Sequence, residues 1–444
     1  MMKRIIIISF IFLHVCIATH AQQDFFIGNG STLFVGAEIP LGVYGSLVNN
    51  GVLLSKPKSH LYFMGEKWIN QPGSKMLDET GKANSVNGAT IEFRSTDLFN
   101  NPLRKQSIHS DYNVASMSGS SFANLIINNP DGVQLESDIN ITNNLTFQSG
   151  HLYLLGKNAV LGNDTESGKI DGYHHKSYFV TGDKFTGSHV LIRNMKKDQE
   201  YAFPMGERDD PNYYHPFKII SKNGMEDIRA CVFIGTYTDG VSGKELRDST
   251  INTTWHFEKI RSSSNQFSVS LQHNLPNEGQ MFAAKKEYSY VGLFHNGNWK
   301  PIALSTPVSM PGTITTSNPI PLGAVNNATF EITGTTSFYL SKFLGTATGV
   351  AAQILKPGNV FTPNGDGHND FFDIKNIEQF PDNEVVVYNR WGNEVYKTKN
   401  YSRSNRFSGA GLPDGTYFYI LKINHIGGQN AGIEIVKGFI TIIR

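Results

Sequence analysis

From Phe25 to about Leu161 no apolar run lasts more than a few residues before an Asn-Gly, Asn-Asn or Ser-Gly pair interrupts it. Within the runs, apolar side chains recur at every second position: Leu125 and Ile127, Val133 and Leu135, Ile139 and Ile141, Leu145 and Phe147, Leu152 and Leu154. The breaks between them are Asn128-Asn129, Asn143-Asn144 and Ser149-Gly150. A period of two places alternate side chains on one face of a strand, so each run reads as a short strand buried on one side. Strands this brief enclose no core singly and must stack or pair with their neighbours. A β-solenoid and an irregular β-sandwich both satisfy that demand, and the step of the repeat is too variable to choose between them. Residues 22–165 are therefore expected to be a repetitive, short-strand β region.

Residues 166–344 carry longer expected strands, at Ser188 to Arg193, His215 to Ser221, Ile228 to Tyr237, Thr253 to Ile260, Gln266 to His273, Tyr290 to His295 and Thr329 to Ile332. Asn223-Gly224, Asp239-Gly240 and Asn296-Gly297 lie between them, and these residues tolerate the positive φ of hairpin turns. The expectation is one or two antiparallel sandwiches. A Thr, Ser and Pro-rich stretch from Pro301 to Pro321 reads as a loop or a weak edge strand, and residues 345–358 as a low-charge linker. The whole chain is thus expected to be all-β.

Residues 1–21 have the form of a secretory signal, with basic Lys3 and Arg4, an apolar stretch from Ile5 to Ile17, and Ala18-Thr19-His20-Ala21 as a small-residue cleavage site. The apolar stretch is too short to span a hydrocarbon core of about 30 Å, and no later stretch is long and apolar enough either, so no transmembrane segment is expected once the signal is removed. The formal charge of +1 falls to −1 when Lys3 and Arg4 leave with the signal. That balance argues against nucleic acid as a partner. Cys231 is then the single cysteine, forms no internal disulfide, and in Arg229-Ala230-Cys231-Val232-Phe233-Ile234 reads as a small apolar strand residue.

Residues 359–444 begin with Phe361-Thr362-Pro363-Asn364-Gly365-Asp366-Gly367-His368-Asn369-Asp370, a strand running into a Gly and Asp-rich loop. Strands are expected at Glu384 to Asn389, Asn393 to Lys397, Gly415 to Ile423 and Ile433 to Ile443, with Pro413-Asp414-Gly415 as a turn, which together make a small β-sandwich. Four ordered pieces, Phe361 to Asp370, Val387 to Tyr396 (with Asn389-Arg390-Trp391-Gly392), Gly411 to Tyr419 (with Leu412-Pro413-Asp414-Gly415-Thr416-Tyr417) and Lys437-Gly438 to Arg444, resemble the gliding-motility-associated C-terminal domain, the type B sorting domain of the type IX secretion system of the Bacteroidota. The resemblance covers about a fifth of the chain. One departure is Phe407, where that family usually carries tryptophan; a phenyl ring fills an apolar pocket but donates no indole hydrogen bond.

The resemblance implies an immunoglobulin-like sandwich that the outer-membrane type IX machinery reads as its partner, after the precursor has crossed the inner membrane and folded in the periplasm. It implies a secreted or cell-surface protein, and relatives of this kind include adhesins associated with gliding motility.

Asn364, Asp366, His368 and Asp370 occupy every second position, so Asn364, Asp366 and Asp370 are candidate calcium ligands; the alternative is a turn in which Asn and Asp bond their own backbone. No other cofactor is expected. Trp391 is either a receptor contact with Arg390 stacked on it or, the preferred reading, a buried aromatic beside a hairpin. Tyr173-His174-His175 and Tyr213-Tyr214-His215 lack a third ligand at a recognised spacing and read as loop decoration, while Trp255 and Trp299 read as core. No His-Glu-x-x-His, Cys-x-x-Cys, Gly-x-Ser-x-Gly or phosphate-loop pattern is present, so no catalytic residue is assigned and the chain is expected not to be an enzyme. The scattered acids Asp131, Asp138, Asp164 and Asp171 would serve glycoside hydrolysis only if two of them met about 5 to 10 Å apart. Two functions remain in view for residues 22–344: a structural or adhesive surface protein, and a module that binds or degrades polysaccharide, with a surface glycan or another extracellular ligand as partner.

Overall fold

The computed structural model describes residues 24–37, 40–95, 105–247, 250–285, 289–304, 308–309, 314–316, 323–344, 355–375, 377–425 and 432–444. The expected signal at 1–21 and most of the expected linker lie outside them. With 53% strand and 3% helix among the described residues, the fold is all-β. No helix among the described residues is long and apolar enough to cross a membrane.

Successive short strands are dealt in turn to separate ladders. Phe25–Ile27, Leu47–Asn49, Lys67–Asn70 and Gln106–His109 open an eight-stranded sheet that ends at Met205–Gly206, and every pairing in it is parallel. Leu41–Val43, His60–Phe63, Thr90–Arg94, Phe122–Asn128 and Ile139–Ser149 make a second parallel ladder, and Thr32–Val35, Val52–Ser55 and Lys75–Asp78 a third. Parallel pairing of neighbours needs a long connection between them, and here the strands of the other ladders supply it. Inward side chains stack in register. Trp68 is wholly buried, with the rings of Phe63 and Phe122 at 5.5 and 5.7 Å. Each such buried phenylalanine contributes about 1.5–3 kcal/mol. Asn49 and Asn70 are equally buried and aligned on adjacent strands. The Asn49 side chain donates to Asn70 Oδ1 at 3.3 Å, and the Trp68 indole donates to the same oxygen at 3.3 Å.

Parallel pairing runs past residue 165. His189–Met195 pairs in parallel with Asn158–Leu161 on one edge and antiparallel with Glu226–Ile234 on the other. The sheet then continues antiparallel through Thr253–Lys259, Thr336–Leu344, Ser289–His295 and Asn298–Leu304, and Lys169–Asp171, which pairs with Ile139–Ser149 off this path, makes thirteen strands among the described residues. The expected strands from Ser188 onward were grouped by length, and length carries no information about pairing direction, which is why this seam fell inside the second region. Opposite the antiparallel half lies a five-stranded sheet of Glu200–Phe203, Phe217–Ser221, Asn265–Asn274, Gly323–Ile332 and, at its edge, Val308–Ser309. Phe217 of this sheet meets Phe257 of the large one at 4.7 Å, and Phe267 meets Phe338 at 6.4 Å, so the two sheets share one core. Trp255 sits in that core and donates to the His215 carbonyl at 2.9 Å, whereas Trp299 is half-buried and donates to the Tyr237 carbonyl at 2.7 Å.

Candidate functional site

The sorting-type motifs come together in residues 355–444. Val360–Phe361, Gly432–Ile442, Gly415–His425, Asn383–Tyr388 and Glu394–Lys399 form a five-stranded sheet in that order, and Lys356–Pro357 pairs with Ile374–Lys375 in a separate ladder. Phe361, Phe372, Val385, Val387, Tyr401, Leu421 and Ile442 fill a core of their own, which Tyr290 and Phe343 of the large sheet join. Burial pushes the Tyr401 hydroxyl well above its ordinary pKa. That hydroxyl donates to the Phe372 carbonyl and accepts from the Phe407 N–H at 3.1 Å. Phe407 is buried edge-on to Phe361, with ring centres 5.8 Å apart, and lies 4.9 Å from Tyr396, so its phenyl ring fills an apolar pocket of this core.

Each motif has a local physical reason. In the first loop, the Asp370 carboxylate accepts the N–H groups of Gly365 at 2.7 Å and Gly367 at 2.8 Å, and both glycines have positive φ, as does Asn369. Asp366 accepts from His368 N–H at 2.7 Å and from the Asn364 amide at 2.9 Å, and these two bonds hold its carboxyl below the usual range. Thr362 N–H donates to the Asn369 carbonyl at 2.7 Å, which closes the loop around Pro363. A cation at Asn364, Asp366 and Asp370 would have to compete with these backbone donors for the same oxygens.

In the second motif, Asn389 Oδ1 accepts the N–H groups of Trp391 and Asn393, both at 3.0 Å, while Gly392 turns the chain at φ 82°. That turn points Trp391 outward. Its side chain is 70% exposed with the Arg390 guanidinium 4.2 Å from the ring centre, so the expected buried role is corrected. In the third, Tyr417 donates to the Pro413 carbonyl at 2.8 Å, Asp414 holds the Arg444 guanidinium at 2.8 Å, Gly415 has φ 145°, and Leu412 packs on the core. Gly438 lies under Tyr419, whose hydroxyl would stand 2.4 Å from any added Cβ. Thr416 is exposed on the outward face of the sheet.

The outward face of the sheet carries residues that sequence reasoning missed. Tyr388, Phe418 and Phe439 are register partners across three adjacent strands. Phe418 and Phe439 are 50% and 55% exposed, and Ile435 and Ile443, each four residues along the chain from Phe439, 40% and 49%. The signal was available in Tyr417-Phe418-Tyr419-Ile420-Leu421, where apolar residues occupy both parities and so both faces of the strand. One face builds the core and the other leaves an apolar patch in water.

Other singled-out residues lie elsewhere. Tyr214 and His215, expected as loop decoration, are core: Tyr214 donates to the Ile314 carbonyl at 2.8 Å and His215 Nδ1 meets Glu207 Oε2 at 3.0 Å. His174 and His175 are half-buried neighbours with rings 5.6 Å apart. Among the scattered acids, Asp138 accepts from Asn158 N–H at 2.7 Å, Asp164 pairs with Arg193 at 2.8 Å, and Asp171 accepts from Gly172 N–H at 2.8 Å.

No curated protein and no solved structure matches the chain. Residues 355–442 match the CHU_C type IX secretion signal domain, and the chain therefore carries the C-terminal sorting domain of type IX cargo.

Proposed function

We propose that residues 22–344 are a structural or adhesive passenger and that the outward apolar face of the C-terminal sheet is what the outer-membrane machinery reads. In this reading the signal at 1–21 takes the precursor across the inner membrane, the passenger folds in the periplasm, and the sorting domain directs it to the surface or the medium. The observation that carries the passenger's role is the thirteen-stranded sheet that joins one of the parallel ladders to the antiparallel half, because it makes one continuous body with polar outward positions. Stacked β units of this kind present an extended binding surface. A glycan array run beside a hydrolase screen tests the reading on the purified chain. We expect adhesion without release of reducing sugar, and sugar cleavage would count for the second reading.

That second reading, a module that binds or degrades polysaccharide, is favoured by one feature. A polar cleft of about 480 Å³ is lined by Asn124, Asn143, Asn144, Lys169, Asp171 and Glu200, with Tyr173 and Tyr201 in its wall. Its size is that of a small-ligand site, and its amides suit sugar hydroxyls.

The recognition face has its own test. Replacing both Phe418 and Phe439 by serine removes a cross-strand aromatic pair from the outward face and leaves the core intact, so stability should fall by only about 1 kcal/mol. Export, read as the extracellular fraction of the chain, should nonetheless fall sharply. Export at the parental level by a normally folded double variant would show that another surface is recognised.

A further inference from the structure

We propose that His189, Cys231 and His256 form a binding site for a borderline-soft divalent cation, zinc(II) first among them. The site is built by sheet register. Cys231 stands directly opposite His256, and His256 opposite Tyr339. The pairing of Val190 with Ala230 sets His189 one step further along, beside Cys231. All three lie on the half-buried outer face, while their chain neighbours Val190, Ala230, Val232, Trp255 and Phe257 point into the core. Cys231, expected as a small apolar residue, thus faces two imidazoles.

The ligand atoms of the three residues all lie within 4.8 Å of one another, and Cys231 Sγ is 3.7 Å from His256 Nδ1. A tetrahedral zinc ion, about 2.3 Å from sulfur and about 2.0 Å from nitrogen, holds those two atoms about 3.5 Å apart, close to their present separation, and side-chain rotation of His189 completes the set. The imidazoles are already arranged for it. His189 Nδ1 is 2.9 Å from the Gly187 carbonyl; donating there leaves the Nε2 lone pair for a metal, the second bond that metal-binding histidines characteristically make. His189 Nε2 is buried without a hydrogen-bond partner, and a nitrogen left so is costly unless something occupies it. Glu258 Oε1 stands 3.9 Å from His189 Nε2, with its carboxylate held by Arg229 at 2.9 Å, and Tyr339 stacks on His256 at 4.6 Å. These neighbours brace the rings and place an oxygen beside the open position.

One thiolate with two imidazoles selects zinc or copper over magnesium and calcium, which take oxygen ligands. When the metal–sulfur bond forms, the Cys231 thiol gives its proton to solvent, so uptake weakens as pH falls. The site also spans the seam of the large sheet. His189 is on the strand where parallel pairing gives way to antiparallel, and Cys231 and His256 are on the next two strands. A bound ion would tie these three strands together and stabilise the folded chain by mass action.

The test uses the purified untagged chain, stripped with a chelator and titrated with zinc(II) by calorimetry and with cobalt(II) by absorption. We expect one ion per chain, a thiolate-to-cobalt charge-transfer band, and a melting temperature that rises with zinc. Cys231→Ser should erase the band, and Cys231→Ser and His256→Gln should each weaken zinc binding by more than about 100-fold, beyond the loss typical of outer-shell changes. A His174→Gln/His175→Gln variant should bind as the parent does. Zinc should also slow alkylation of Cys231 in the unmutated chain, a readout that needs no variant to fold. Absence of the band, parental zinc affinity in Cys231→Ser, or alkylation at one rate with and without zinc would each overturn the proposal.

Discussion

A chain ending at Leu344 should stay inside the cell envelope, folded, while the full-length chain reaches the exterior. Leu344 closes the last strand of the thirteen-stranded sheet, so the cut removes no strand of the passenger. What it removes is a unit with its own core, in which Phe361, Phe372, Val385, Tyr401, Leu421 and Ile442 pack on one another. The match over residues 355–442 assigns sorting to that unit. Loss of a delivery domain should act on location and leave passenger stability nearly untouched, because a domain that buries its own apolar side chains folds largely by itself. Tyr290 and Phe343 would become more exposed, since they join the sorting-domain core, and a modest fall in solubility should accompany the cut. Fractionation with immunoblotting reads the outcome: the truncated chain should accumulate in the periplasm, and residues 355–444 fused to a foreign carrier should send that carrier out. Normal appearance of the truncated chain in the medium would remove export from the functions of this domain.

What could be read from the sequence follows from the range over which each signal acts. Alternation is local, so the buried positions Leu125, Ile127, Val133, Leu135, Leu145 and Phe147 were legible, as were the strands around Thr253, Gln266 and Tyr290. Pairing direction is set by the connection between strands, and the same Val133–Leu135 pattern serves a parallel or an antiparallel neighbour, so the three parallel ladders were not legible. In the sorting domain, the turn residues Asn364, Gly365, Gly392 and Gly415 announced themselves by the positive φ or side-chain bonds that such turns need. Trp391 was misread because hydrophobicity argues for burial on average and says nothing about a side chain at the tip of a two-sided turn. His189, Cys231 and His256 are far apart in the chain and meet only through register, which short-range spacing rules do not reach.

Glu226→Ala should cost about 3–5 kcal/mol, the loss expected when one member of a buried ion pair is removed and the other charge is stranded. Glu226 and Lys259 are both wholly buried, with Lys259 Nζ 3.1 Å from Glu226 Oε2. They stand on adjacent antiparallel strands, where Lys259 is the register partner of Ile228. The carboxylate also accepts from Arg261 N–H at 3.0 Å and from the Asn265 side chain at 3.4 Å, and Lys259 donates to the Arg261 carbonyl. Alanine would leave the Lys259 ammonium without its counter-charge and the Asp227 and Arg261 N–H groups without this acceptor, each at a desolvation penalty. The double change Glu226→Gln/Lys259→Met keeps an oxygen for Arg261 and removes both charges, so it should recover most of the loss. If the pair is there for specificity, the reason lies in the sheet. A slip of one residue between these strands would turn Val232 and Ala230 to the outside, and the Glu226 to Lys259 contact opposes it. Thermal melting of the three chains measures the energies, and hydrogen exchange at Ile228 to Ile234 reads the register. A single variant that melts with the parent, or a double variant no better than Glu226→Ala, would assign the stability of this seam to apolar packing alone.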